Sequence, residues 1–283
     1  MNTDVSRRAF FGAVASAAAL PALAGAATSA VAAPALAGKT LKLGVASYSM
    51  RKFTLEQALD MARTLGIQFM TFKDVHIPRT DPPETTRALR AKIQAAGITI
   101  MGGGTITMEN DPVQIRKDFV YAKDAGMPLV YASPDPGALD VIESMVKEYD
   151  VKLVIHNHGP EDKWWPAPKD AYTALKTRDK RMGLCIDIGH TIRTGTDPVQ
   201  ACIDYQDRLY DMHVKDLKVK TDKDSQVEVG RGVLDFPGLF RTLLKIGYQG
   251  QVGLEYEIKA DDPLPGMQES VAYMRGVLAA LTT

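Results

Sequence analysis

LKLGVASYSMRKFTLEQALDMARTLG, residues 41–66, decides the fold. Its first part, LKLGVASYS (41–49), is a short apolar run of strand character. Its second part places Leu55, Ala58, Leu59 and Ala62 at the spacing of one helix face. Thr54 stands where an N-cap belongs, Gln57 completes a capping box, and Gly66 is placed as the residue that ends the helix. A strand followed by a helix is half of a parallel β-sheet unit. No glycine-rich phosphate turn separates the two, because the join reads ASYSMRKF.

The same alternation continues to the C-terminus. FMTFKD precedes PETTRALRAKIQAAG, ITIMGGG precedes DPVQIRKDFVYAKDAG, and PLVYAS precedes ALDVIESMVKEYD. KLVIHNHG precedes PKDAYTALKT, MGLCIDIGH precedes DPVQACIDYQDR, LYDMHVKD precedes FPGLFRTLLKIG, and GQVGLEYE precedes GMQESVAYMRGVLAAL. Gly66, Gly97, Gly126 and Gly247 each end a helical stretch just before the next strand. Eight strand–helix units in roughly 245 residues predict a single-domain (β/α)8 TIM barrel over 40–283. An open doubly wound sheet is the competing architecture, weakened by the missing phosphate turn.

Residues 1–37 stand apart. Ser6-Arg7-Arg8-Ala9-Phe10-Phe11 has the form of a twin-arginine export signal, and an uncharged Ala-rich run follows to Gly38. Ala30-Val31-Ala32 and Ala35-Leu36-Ala37 are cleavage-type sites. The expectation is a signal peptide handed to the twin-arginine export machinery and a periplasmic protein, with an uncleaved membrane anchor as the alternative. Of the 283 residues, 34 are Lys or Arg and 34 are Asp or Glu, so nothing points to a nucleic-acid partner. Cys185 and Cys202 form no C-x-x-C motif and read as packing residues, with a disulfide open to them in an oxidising compartment. A homo-oligomer is left open.

The five histidines decide the chemistry. His76, His156, His158, His190 and His213 all fall at or just past the C-terminal ends of expected strands, as do Asp74, Asp187, Asp216, Glu255 and Glu257. In a barrel those ends meet at one mouth. Imidazoles and carboxylates together suit one divalent ion, Mn, Zn, Co or Fe. The alternative is a hydrogen-bonded polar pocket without metal.

At IHNHG, DIGHTIRTG, HVKD and GLEYE the chain resembles the xylose-isomerase-like barrel superfamily, the sugar phosphate isomerase/epimerase group. The resemblance spans the whole mature chain. It implies four metal ligands, in order Glu, Asp, His and Glu, which fall here on His156, Asp187, His213 and Glu255. It makes His190, in the D-x-x-H pattern, a substrate-contacting histidine. His156 departs from the family's usual Glu. A metal-bound neutral imidazole has no free lone pair for proton transfer, so the family's two-carboxylate epimerase mechanism does not carry over directly. IHNHG is read as the mark of a subgroup.

Most of the other candidates have more than one reading. His158 is a base, a second ligand or sugar contact, or a hydrogen-bonding neighbour. Glu257 is a base, or an ion pair at the rim with Lys215 or Arg193. Lys215 stabilises charge on oxygen, or balances charge. Lys73 and His76 contact substrate, or lie at the rim. Arg193 binds a hydroxyl, carboxylate or phosphate group. Trp164 and Trp165 offer an aromatic face to a sugar ring or aglycone, or plug the loop. Gly102-Gly103-Gly104 leaves room for a ligand, or is a flexible loop.

The functional expectation is a metal-dependent sugar or keto-sugar isomerase or epimerase. It would remove a proton beside a carbonyl, through a metal-stabilised enediolate, with Glu255 or Glu257 as base. A lyase, dehydratase or hydratase acting on 3-keto-glycosides is the first alternative, and a non-catalytic periplasmic sugar-binding protein the second. A nuclease would need a basic face, and a metal-free glycosidase would need only two carboxylates.

Overall fold

The computed structural model describes residues 36–283, so the export-signal reading lies almost wholly outside the described residues. Eight parallel strands close in sequence order: β1 (Lys42–Ala46), β2 (Phe69–Phe72), β3 (Thr99–Met108), β4 (Leu129–Pro134), β5 (Lys152–His156), β6 (Met182–Asp187), β7 (Leu209–Val214) and β8 (Gln251–Leu254). β8 pairs with β1 to seal the barrel. Around them run α1 (Leu55–Thr64), α2 (Pro83–Ala95), α3 (Pro112–Asp124), α4 (Leu139–Tyr149), α5 (Pro168–Leu175), α6 (Ile188–Arg193), α7 (Pro198–Asp204), α8 (Phe236–Ile246) and α9 (Leu264–Thr282). The TIM-barrel expectation holds. No described helix is long and apolar enough to cross a membrane.

Local chemistry sets the element ends. Thr54 Oγ1 accepts from Gln57 N, and Gln57 Oε1 accepts from Thr54 N, so the predicted capping box is formed. Gly247 ends α8 at φ 69°, in the left-handed region that favours glycine.

Strand parity then builds two layers. Leu153 and Ile155, Leu184 and Ile186, Met212 and Val214, and Val252 and Leu254 join the large core between sheet and helices. The alternate residues turn into the barrel, where Leu129, Tyr131, Val154 and Cys185 form a separate small cluster. By the same parity His156, Asp187, His213 and Glu255 turn inward at the top of β5–β8. Cys185 and Cys202 are free and buried, so both are packing residues.

Two local expectations change, and one connection gains structure of its own. GGG is neither a loop nor ligand space: it lies inside β3, and a Cβ on Gly102 would stand 2.5 Å from the Tyr131 ring. The expected strand through His190 stops at Asp187, because the Asp187 carboxylate caps a new helix, α6. The long connection after β7 folds back on itself, as Asp216–Leu217 pairs antiparallel with Gln226–Val227.

Candidate metal centre at the barrel mouth

Register brings the four ligand-type residues together. Asp187 on β6 stands opposite His213 on β7, and His213 stands beside Gly253 on β8. His156 closes β5, and Glu255 follows β8, its N–H donating to the Val214 carbonyl at 2.9 Å. One ligand atom from each of His156, Asp187, His213 and Glu255 lies within 4.8 Å of the others, and all four residues are buried.

His156 Nε2 lies 3.0 Å from His213 Nδ1 and 3.6 Å from Asp187 Oδ2. His213 Nδ1 lies 3.4 Å from Glu255 Oε1. Ligands held at roughly 2.1 Å around a tetrahedral divalent ion stand about 3.4 Å apart, so these spacings fit one. Asp187 Oδ2 is buried and makes no hydrogen bond, with the Lys215 ammonium 3.1 Å away as its charge partner. Two imidazoles and two carboxylates are the donor set of a borderline divalent cation.

The surroundings hold Asp187 and brace His213. Asn157, between the two histidines of IHNHG, accepts from Asp187 N at 3.0 Å and donates to Thr191 Oγ1 at 3.1 Å. Asp187 Oδ1 accepts from His190 N at 2.8 Å, so Oδ2 is the oxygen left for the site. The Tyr131 ring stacks on His213, with centroids 5.5 Å apart.

Lys215 sits among the carboxylates. Its Nζ lies 3.1 Å from Asp187 Oδ2 and donates to Glu255 Oε2 at 2.8 Å and to Glu257 Oε2. Burial works against its charge, but Asp187, Glu255 and Glu257 outweigh it and push its pKa well up. Burial likewise opposes ionisation of Glu255, yet Lys215 and His213 hold its carboxyl well below the usual range. Burial raises Asp187. Burial, then His158 and His213, keeps His156 neutral. His213 is raised, since Glu255 and Asp187 overcome its burial.

His158 is half-buried beside His156, with ring centroids 4.6 Å apart, and its Nδ1 lies 3.2 Å from Asp162 Oδ2. Burial lowers its pKa. His190 lies at the same mouth, 5.8 Å from His158 between centroids, and burial followed by Lys215 pushes its pKa down to about 3. Trp164 is exposed, with Lys163 Nζ 3.9 Å over its ring. Lys73 lies 5.1 Å over the Tyr48 ring, at the ends of β1 and β2.

Other expected site residues are turned elsewhere. His76 is buried, with Nδ1 2.9 Å from Ser47 Oγ and Nε2 3.2 Å from the Phe53 carbonyl, so both nitrogens are occupied inside the fold. Trp165 is buried and donates from Nε1 to the Pro134 carbonyl at 2.7 Å, which makes it the plug and not the sugar face. Arg193 is buried and pairs with Glu161. Asp216 accepts from the N–H groups of Gly230 and Gly232 at 2.9 Å each, and so holds the loop after β7. Asp74 lines a separate cleft of about 770 Å³ at the ends of β2 and β3, with Arg79, Glu109, Asp111 and Asp118; none of the four ligand-type residues lines it. Sequence reasoning did not single out Asn157, Tyr131 or Glu161. Only Asn157 had a signal, its place inside the histidine motif.

The model of the family described as a xylose isomerase-like TIM barrel matches residues 138–277. The Rhizobium meliloti rhizopine catabolism protein MocC is 26% identical over 133 residues, 42% of this chain and 40% of MocC. Inosose dehydratase of Lacticaseibacillus casei is 25% identical over 134 residues, 42% of this chain and 45% of the relative. The 3-dehydro-D-guloside 4-epimerase of Escherichia coli K12 is 36% identical over 96 residues, 34% of each chain. Each match therefore spans less than half of the relative. Among solved structures, an uncharacterised protein from Parabacteroides distasonis has a TM-score of 0.66 at 25% identity, covering 83% of this chain and 98% of that one. The IolI protein, solved with a bound zinc atom, has a TM-score of 0.72 at 15% identity over 86% of this chain and 100% of that one. The family match covers just under half of the chain, and these solved neighbours share its barrel fold.

Proposed function

We propose that this chain is a divalent-metal-dependent enzyme that removes a proton beside the carbonyl of a sugar or keto-sugar and returns it, as an isomerase or epimerase. The observation that carries the reading is the convergence of His156, Asp187, His213 and Glu255 at one buried point. A divalent ion bound there would polarise a substrate oxygen and favour loss of the neighbouring proton.

The chain's own groups supply the rest. Glu257 is the base, since it is more open than Glu255, whose carboxylate belongs to the ligand set. Lys215 places a positive charge between the two carboxylates and beside developing negative charge on oxygen. His158 presents Nε2 as its proton-exchanging atom, because Nδ1 faces Asp162. Trp164 offers its ring to the sugar or its substituent. The periplasmic setting rests on the leader read in residues 1–37 alone.

One observation favours a second reading. Glu255 and Glu257 lie on the same strand end and share Lys215, while β5 contributes His156. Epimerisation by two carboxylates needs one on each face of the carbon. Expulsion of a group β to the carbonyl needs only one base and one acid, so a 3-keto-glycoside lyase or dehydratase fits this arrangement.

The test strips the protein with a chelator and reloads it with Mn, Zn, Co or Fe. It is then incubated in D2O with ketoses and 3-keto-glycosides, and the products are read by mass spectrometry. Metal-dependent deuterium uptake with an intact skeleton supports isomerisation or epimerisation. Release of water or aglycone supports the lyase reading. Asp187→Ala should abolish either. No exchange on any substrate, with sugar binding retained by Asp187→Ala, would leave a binding protein and end the enzymatic reading.

A further inference from the structure

His190 Nδ1 lies 3.0 Å from Arg193 Nη1. A guanidinium carries donors only, so a protonated Nδ1 would set two donors face to face. The ring nitrogen must therefore accept, and the proton of the neutral imidazole must sit on Nε2.

Arg193 is not free to turn away. Its side chain is 3% exposed, and Nη2 donates to the Glu161 carboxylate in the loop after β5. A Cβ at Gly159 would come within 2.8 Å of Nη1, and Gly159 has φ +87°, so this glycine of IHNHG leaves the space the guanidinium fills. His190 and Arg193 stand three residues apart on α6, on one helix face. The opposite edge of the ring faces the site, with Nε2 3.9 Å from Asp187 Oδ2 and the centroid 6.0 Å from that of His156.

We propose that Arg193 is a positioning residue that locks His190 as the Nε2–H tautomer, so that His190 donates a hydrogen bond to a substrate oxygen and does not act as a base. The guanidinium that the sequence offered to a substrate anion is thereby engaged inside the protein, and Glu161 and Gly159 keep it there. The site then holds two histidines of opposite use. His158 exchanges protons, while His190 selects an oxygen acceptor, the carbonyl or hydroxyl on which negative charge grows. The substrate part of this inference rests on the proposed function. The tautomer part does not.

The test is a long-range proton–nitrogen correlation spectrum of histidine-labelled protein at pH 7, stripped of metal and again loaded with zinc. The His190 signals are assigned by loss in His190→Gln. The expected spectrum has Nε2 protonated and Nδ1 bare. Arg193→Met should populate the Nδ1–H form, and Arg193→Lys, which keeps a donor, should restore the Nε2–H form. With an active substrate in hand, Arg193→Met should lower kcat/KM at least tenfold, and Arg193→Lys should recover most of it. A wild-type His190 that is doubly protonated or carries its proton on Nδ1 overturns the proposal, as does an Arg193→Met spectrum identical to wild type. The wild-type spectrum decides the tautomer even if Arg193→Met does not fold. An Nε2–H spectrum in a protein inactive on every sugar would refute the proposed function and leave the tautomer lock standing.

Discussion

Replacing Lys215 by Met separates folding from metal binding in a way that only this geometry predicts. In the metal-free protein the ammonium lies 3.1 Å from Asp187 Oδ2 and 2.8 Å from Glu255 Oε2, and all three groups are buried. Removing it strands buried carboxylates, which costs about 3–5 kcal/mol. At about 2–4 °C per kcal/mol for a domain of this size, the melting temperature in chelator should fall by roughly 6–20 °C. A divalent ion needs the same Asp187 oxygen that Lys215 holds. Charges of +2 and +1 at about 4 Å repel by roughly 8 kcal/mol at an effective dielectric of 20, so metal and ammonium compete there. Metal should therefore bind Lys215→Met more tightly than wild type, and each tenfold gain adds about 1.4 kcal/mol to the metal-induced stabilisation. The assay is thermal unfolding with chelator and with saturating Zn or Mn, supported by calorimetric titration. An unchanged melt in chelator, or a metal-induced shift no larger than in wild type, would show that Lys215 does not hold these carboxylates.

Acidification should destabilise the metal-free protein. His76, His156, His158 and His190 have pKa values lowered by burial from the ordinary 6.5. Below that value the unfolded chain takes up protons that the native state refuses, so stability falls as pH drops from 6.5. Asp118, Asp187 and Asp211, raised by burial, the last to about 7, oppose this by holding protons that the unfolded chain has lost. Four groups against three leave up to about 1.4 kcal/mol per pH unit, and urea melts between pH 6.5 and 5 that show flat or rising stability would contradict the assignment. His76→Ala should cost about 1–3 kcal/mol by stripping Ser47 and Phe53 of a partner, with KM unchanged; a KM effect would return His76 to the substrate. Trp165→Phe should lower stability by about 1–3 kcal/mol through the unpaired Pro134 carbonyl, while Trp164→Ala should raise KM and leave the melting temperature alone. The reverse pattern would exchange their roles.

The barrel was legible because its punctuation is local. Thr54 and Gln57 close a capping box within four residues, and Gly247 marks a helix end by its backbone alone. Strand-end placement gathered the histidines and carboxylates at the mouth, but it was the resemblance to the xylose-isomerase-like barrels that picked His156, Asp187, His213 and Glu255 from among them, and the four do converge. His76 shows the limit. It follows a strand end as His156 closes one, but the chain turns after Lys73 and delivers its ring to Ser47. A strand end fixes where a residue starts, not where a loop takes it. Asp187 shows the same limit differently, since its carboxylate serves both the site and α6, and the helix it caps was hidden under an expected strand. The pairing of Arg193 with Glu161 joins residues 32 apart through a loop, which no local pattern records.

The histidine at 156 gains a reason from the charges around it. Asp187, Glu255 and Glu257 bring three negative charges to the mouth, Lys215 brings one positive charge, and the neutral His156 brings none. A divalent ion in the ligand set would make that group neutral. A glutamate at 156 would leave it negative before any proton moved. Carbonyl chemistry of the proposed kind builds negative charge on a substrate oxygen, and one more carboxylate about 4 Å away would oppose that charge by roughly 4 kcal/mol at an effective dielectric of 20. His156 thus removes a base from one face of the substrate and removes a charge from the site. The first change disfavours two-sided proton exchange. The second eases the first proton transfer, which isomerisation and elimination share. The two effects together point to a site built to take a proton from one face and to let the oxygen carry the charge, with His190 donating to it.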